Sequence, residues 1–283
     1  MPVLIPPLHE QRRIADFLDA ETARIDTLMH LRRQQHELLD QDYKATISEI
    51  LTPGISKSGK TNSLWPWLPD SIPIARLGYV ARVQSGVTVH SAREKAPDDA
   101  AYPYLRVANV QGEEVDLSEV KEITIPASMA LRSMLLPGDV LMTEANGNPD
   151  NLGRGAVWQG EIAGAIHQNH VFAIRVQQRK LLPEYLSALL ASTHGRRYFR
   201  FTSTQVGIAT TSSSKVLDFP VPILPLEGQR VSVARCQRAR TGINRAASAL
   251  TLQLALLAER RQALITAAVT GQIDVTTARG VST

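Results

Sequence analysis

Asn146-Gly147-Asn148-Pro149-Asp150-Asn151-Leu152-Gly153-Arg154-Gly155 places three asparagines, three glycines and an arginine within ten residues. An asparagine amide matches the paired acceptor and donor on the edge of adenine. An arginine fork matches guanine or holds a phosphate. Glycines let backbone approach a partner closely. The same composition also fits an ordinary hairpin loop. A second polar stretch, Thr202-Ser203-Thr204-Gln205-Val206-Gly207-Ile208-Ala209-Thr210-Thr211-Ser212, follows the basic run Arg196-Arg197-Tyr198-Phe199-Arg200. Arginines interleaved with aromatics suit phosphate contacts, and a solvated helix end accounts for them equally. Ile166-His167-Gln168-Asn169-His170 adds two amides and a His-x-x-His pair. Two imidazoles without a cysteine or carboxylate at ligand spacing are a weak metal signal. The candidate base-reading residues are therefore Asn146, Asn148, Asn151, Arg154, Gln168, Asn169, Gln205 and Thr210. A competing hydrolase reading uses His167, His170 and Glu144 around a bound metal.

The motifs of known catalysis are missing. There is no Gly-x-x-x-x-Gly-Lys-Ser/Thr phosphate loop, and Gly153-Arg154-Gly155 does not extend to a dinucleotide fingerprint. No Gly-x-Ser-x-Gly elbow and no Asn/Asp-Pro-Pro-aromatic stretch of amino-methylating enzymes occurs. The expectation is a chain with no catalytic residue, no cofactor and no metal of its own.

What positions these loops is a repeat. Ile5-Pro6-Pro7-Leu8-His9-Glu10-Gln11-Arg12 returns 218 positions later as Ile223-Leu224-Pro225-Leu226-Glu227-Gly228-Gln229-Arg230. The same offset pairs Ile25 with Ile243, Leu39 with Leu257, Ile47 with Ile265 and Thr52 with Thr270. One structural unit is used twice, with something unlike it between. In the first copy Ile14, Leu18, Ile25, Leu28, Leu39 and Ile47 fall near one helical stripe, and Pro53-Gly54 ends it. In the second, Ile243, Ala247, Leu250, Leu254, Leu257, Leu264 and Ala268 alternate steps of four and three, interrupted by Arg261 and stopped by Gly271. A helix of about 40 residues is about 60 Å long and gains most of its stability by burying such a stripe. Each arm therefore needs a partner helix. Net charge is −3 over residues 1–51 and +5 over 222–283, which favours the two arms pairing with each other.

Between the arms, Ser56–Ser63 reads as a linker and short β-type runs follow. The expected strands are Tyr79–Gln84, Tyr104–Val107, Val140–Thr143, Ala156–Gln159 and His170–Val176, with a helix over Leu182–Ser192. The single cysteine, Cys236, excludes an internal disulfide and fits a reducing cytoplasm. No apolar run is long enough for a membrane span, and the start does not read as a signal peptide. A net charge of +4 permits a nucleic-acid partner without requiring one.

These motifs resemble those of the specificity (S) subunits of type I restriction–modification systems. Pro7-Leu8-His9-Glu10-Gln11-Arg12 is similar to the start of that family's conserved spacer helix, and Arg260-Arg261-Gln262-Ala263-Leu264-Ile265-Thr266-Ala267-Ala268-Val269-Thr270-Gly271 to its end. Tyr104–Val110, Leu136-Pro137-Gly138-Asp139-Val140-Leu141 and Leu152-Gly153-Arg154-Gly155 through His170 resemble elements of its target recognition domains. The resemblance implies an α+β chain in which one mixed α/β target recognition domain, residues 55–221, is flanked by spacer helices in 1–54 and 222–283 that pack as an antiparallel coiled coil. It implies a half subunit, since a usual member carries two recognition domains. The second spacer departs in having Gly228 where the first has Glu10. It further implies double-stranded DNA, methyltransferase (M) subunits and restriction (R) subunits as partners, with S-adenosylmethionine held by M and ATP used by R. A homodimer, or pairing with another half S subunit, would rebuild two reading heads in the cytoplasm. A structural coiled-coil module, a specificity component of a fused methyltransferase–nuclease, and a silent recombination cassette are the competing expectations.

Overall fold

The computed structural model describes residues 6–52, 60–88, 96–148, 151–206 and 208–275. Pro53-Gly54, residues 56–59 of the linker read at 56–63, and Pro149-Asp150 lie outside the described residues. The chain divides into two compact units, one of residues 1–43 with 240–283, the other Lys44–Ala239.

The repeat is realised to the residue. Helix α1 spans Leu8–Leu51 and the last helix, α6, spans Leu226–Val269, 44 residues each. Both starts and both ends obey the 218-residue offset of the sequence. Each begins directly after a proline-containing segment, where a missing N–H costs nothing. The amide of Gln11 donates to the Pro6 carbonyl at 2.8 Å, and that of Gln229 to the equivalent Leu224 carbonyl at 2.8 Å. Gly271 closes α6 with φ +71°, while Gln272 N donates to Ala267 O at 2.8 Å. That is a left-handed cap closed by a six-to-one bond.

In the first unit, Phe17 and Ile25 are buried on α1, and Ile14, Leu18, Met29, Arg32 and Leu39 are half-buried. On α6 the half-buried positions include Ile243, Ala247, Leu250, Leu254, Leu257, Arg261 and Leu264, ending at buried Ala268. Arg261 does not break this stripe, because its Nε donates to Asp26 Oδ1 at 2.9 Å. Leu28, read as part of the α1 stripe, is 40% exposed, and Phe17 and Met29 take up burial that the stripe did not include.

The second unit is mixed. Its main sheet runs β2 (Ala81–Ser85), β11 (Val171–Val176), β7 (Val140–Thr143), β9 (Gly155–Val157), all antiparallel. β7 is buried at every residue, so it reads as an apolar run without alternation. The helix α3 (Pro183–Ala191) lies over this sheet, with Ser187 Oγ donating to Gly155 O. A second sheet orders β10 (Ile166–His167), β3 (Asp99–Leu105) and β6 (Lys121–Pro126). A third orders β12 (Thr204–Val206), β13 (Ile208–Thr210) and β8 (Ala145–Asn146). The five expected strands and the short helix are present, Val140–Thr143 with the expected ends and the others with shifted ends. Within the 202–212 segment, read as a loop, Thr204–Val206 instead pairs antiparallel with Ile208–Thr210. The basic run belongs to helix α4 (Thr193–Thr202).

Candidate nucleic-acid interface

Residues 143–146 are the hub. Strand β7 ends at Thr143, β8 begins at Ala145, and Glu144 between them is clamped by its backbone. Its N–H donates to His170 O and its carbonyl accepts from Thr211 N, both at 2.9 Å. Strand pairing sets Asn146 opposite Ala209 and Ala145 opposite Thr210. Asn146 Oδ1 accepts from Asn148 N at 3.0 Å, an Asx turn that opens the loop. Its far end returns to the hub, where Thr143 N donates to Arg154 O at 3.0 Å and Thr143 Oγ1 to Asn151 O at 3.1 Å.

The loop is held from below. Gly153 has φ +76°, and a Cβ there would lie 2.6 Å from the Phe199 ring. Only glycine satisfies both the backbone and the close approach. Arg196 Nη1 donates to Leu152 O at 3.3 Å. The aromatics of the basic run, Tyr198 and Phe199, are buried, and their rings pack against Phe219. They are core residues, and the exposed positions of the run are Arg197 and Arg200.

Arg154 is positioned by two partners. Nη2 donates to Asn151 Oδ1, and Nη1 to Gln111 Oε1 at 3.1 Å. Gln111 ends β4 (Val110–Gln111), which pairs with β5 (Glu114–Val115), and no sequence pattern had pointed to it. Asn169 N donates to Val87 O at 3.1 Å and Gln168 N to Leu105 O at 2.9 Å. This crossing needs Gly86, where a Cβ would meet His167 O at 2.2 Å. The side chains of Gln168 and Asn169 are half-buried. The structure therefore gathers Asn146, Asn148, Asn151, Arg154, Asn169 and Thr210 around residues 143–146, with Gln168 alongside. The Gln205 side chain lies outside the described residues, although its backbone belongs to β12.

The two histidines are used separately. His167 is fully buried with Nδ1 2.6 Å from Val171 O, and burial pushes its imidazole down from the ordinary value. His170 Nδ1 lies 3.5 Å from Glu144 Oε2. Burial raises the Glu144 carboxyl above the usual carboxylate range, with His170 pulling the other way. Among the described residues no three His, Cys, Asp or Glu side chains are grouped to hold a metal. The Leu136–Leu141 motif has a structural purpose. Gly138 turns at φ +89°, and buried Asp139 accepts from Leu136 N and takes the Arg175 fork at 2.8 and 2.7 Å. Asn109 similarly binds its hairpin, accepting from Arg106 N and donating to the Asp116 and Glu119 carbonyls.

No family model matches the chain. It is 25% identical over 242 residues to the type I restriction enzyme EcoKI specificity subunit of Escherichia coli (strain K12), covering 82% of this chain and 48% of that protein. It is 21% identical over 238 residues to the type I restriction enzyme StySPI specificity subunit of Salmonella potsdam, covering 83% of this chain and 49% of that protein. The chain is similar to type I restriction enzyme specificity subunits. Their fold is shared as well. A chain from a structure of complex assembly and conformational transition in a type I R-M system superposes with a TM-score of 0.69 at 18% identity, covering 96% of this chain and 62% of that one. The HsdS subunit from Thermoanaerobacter tengcongensis gives 0.53 at 19% identity, with coverages of 96% and 61%. The chain spans about half the length of the specificity subunits named by sequence.

Proposed function

We propose that this chain reads one half of a bipartite DNA site for a type I restriction–modification assembly. The recognition domain is residues 55–221, and the spacer helices in 1–54 and 222–283 pack as an antiparallel coiled coil that docks methyltransferase subunits. Catalysis belongs to those partners, and the chain contributes none. The observation that carries this reading is the polar surface around residues 143–146, in a segment that lies in sequence between two helices of equal length. The antiparallel sense is supported by Asp26 meeting Arg261, while Leu28 and Arg32 line one hollow with residues 253–260.

The repeat also supports pairing with a second half subunit. Gln229 is buried and binds the Lys180 carbonyl and the Leu182 amide, fastening the start of α6 to the recognition unit. Its counterpart Gln11 makes the same local bond but is exposed. The ends behave in the opposite sense. Ile47 and Leu51 are fully buried, and Ser48 Oγ bonds Thr193 at 2.9 Å. Val269, the counterpart of Leu51, is 64% exposed. Gln229 and Leu51 are thus docked within the chain while their twins Gln11 and Val269 are exposed, an asymmetry that a second recognition unit would use.

The test is modification-sensitive sequencing of host DNA after co-expression with the cognate methyltransferase subunit. The expected result is a bipartite methylated motif. Inverted-repeat halves mean a homodimer, and unlike halves mean a second chain. An active methyltransferase that leaves no motif attributable to this chain overturns the proposal.

A further inference from the structure

The surface around residues 143–146 has one feature that phosphate binding does not explain. In the segments 144–148, 151–154, 168–170, 204–206 and 208–210, Glu144 is the sole carboxylate, and Glu114 stands at the margin, paired with the Gln111 that holds Arg154. A negative side chain facing phosphates weakens binding to any duplex. Here it sits centrally, fixed by backbone bonds to His170 and Thr211 from two different elements. Its side chain is 27% exposed and so reachable. Asn146 follows two residues along the same segment, and Thr210 pairs with the intervening Ala145. A carboxylate accepts hydrogen bonds and donates none. In the major groove only cytosine and adenine offer an amino group, and adenine sets its N7 acceptor beside it, which repels a second acceptor. Cytosine offers the amino group without that penalty.

We infer that Glu144 is a specificity-determining residue that selects a cytosine in the recognised half-site by accepting a hydrogen bond from its N4 amino group. This rests on the DNA-reading role proposed above and names a base within it. His170, 3.5 Å away, steadies the carboxylate when DNA is absent. Glu144→Gln keeps the shape and exchanges the acceptor pair for one acceptor and one donor, the pattern that matches adenine.

The experiment is selection from a randomised duplex library by the purified full chain, by Glu144→Gln and by His170→Gln, each first checked for a wild-type melting curve. Wild type should enrich a motif with a required cytosine. Glu144→Gln should keep the other positions and shift this one towards adenine, with discrimination for cytosine falling roughly five- to hundredfold. His170→Gln should keep the cytosine. If Glu144→Gln enriches the wild-type motif with equal discrimination at every position, the inference is overturned and the DNA-reading role stands. If His170→Gln reproduces the change, Glu144 only positions the imidazole, and the inference is again overturned. A wild-type chain that enriches no sequence overturns the DNA-reading role and this inference with it.

Discussion

At the scale of single residues, the protonation of His194 links fold and pH. Its ring is buried and lies between two partners of fixed type. Trp67 Nε1 can only donate and reaches Nδ1 at 2.9 Å, and the Pro220 carbonyl can only accept and lies 2.6 Å from Nε2. The neutral Nε2–H tautomer satisfies both, and a second proton would break the bond from Trp67. Burial accordingly pushes the imidazole down to about 4. The unfolded chain, near 6.5, binds the proton first. Stability is therefore full above about pH 6.5 and falls as pH drops towards 4, by about 3 kcal/mol for this group. Urea denaturation at pH 7.5 and 4.5 should register the loss, and His194→Phe should flatten it. An identical pH dependence in the two proteins would refute the assignment.

At the scale of elements, the helix pair sets burial against an ion pair. Ile25 is 4% exposed, whereas the Arg261 and Asp26 side chains that meet beside it are 39% and 52% exposed. Half-exposed ion pairs contribute less than about 1 kcal/mol, and a charge introduced into a buried apolar stripe costs about 3 kcal/mol or more. Ile25→Asp should lower the helical melting temperature sharply, while Asp26→Asn should move it by a few degrees at most. Circular dichroism at 222 nm would reveal comparable losses if the ion pair, and not the stripe, held the helices. Arg261 looked like an interruption in the heptad-like pattern because its partner lies 235 positions away. The local spacing of α6 was legible, and the compensation for its one charged seam position was not.

At the scale of the whole molecule, the bare ends of the repeat predict association. The full chain should sediment as a dimer at micromolar concentration, and Val269→Asp, at a side chain 64% exposed within the chain, should return it to a folded monomer with an unchanged circular dichroism spectrum. A stable monomer, alone and with the methyltransferase subunit, would sink the pairing. Two long helices with a common offset, the stop at Gly271 and several strands including β7 were legible in the sequence, because caps, prolines and hydrophobic periodicity act over a few neighbouring residues. Its candidate readers were also mostly drawn to one place, since polar loops between strands gather where strands end. It took the assembled fold to aim Arg154 by Gln111, 43 positions away, to turn Tyr198 and Phe199 inward, and to dock Gln229 while leaving Gln11 exposed. Those outcomes depend on strand register and on which surface is already covered. Similar local sequences meet different surroundings, and no pattern within either copy carries that information.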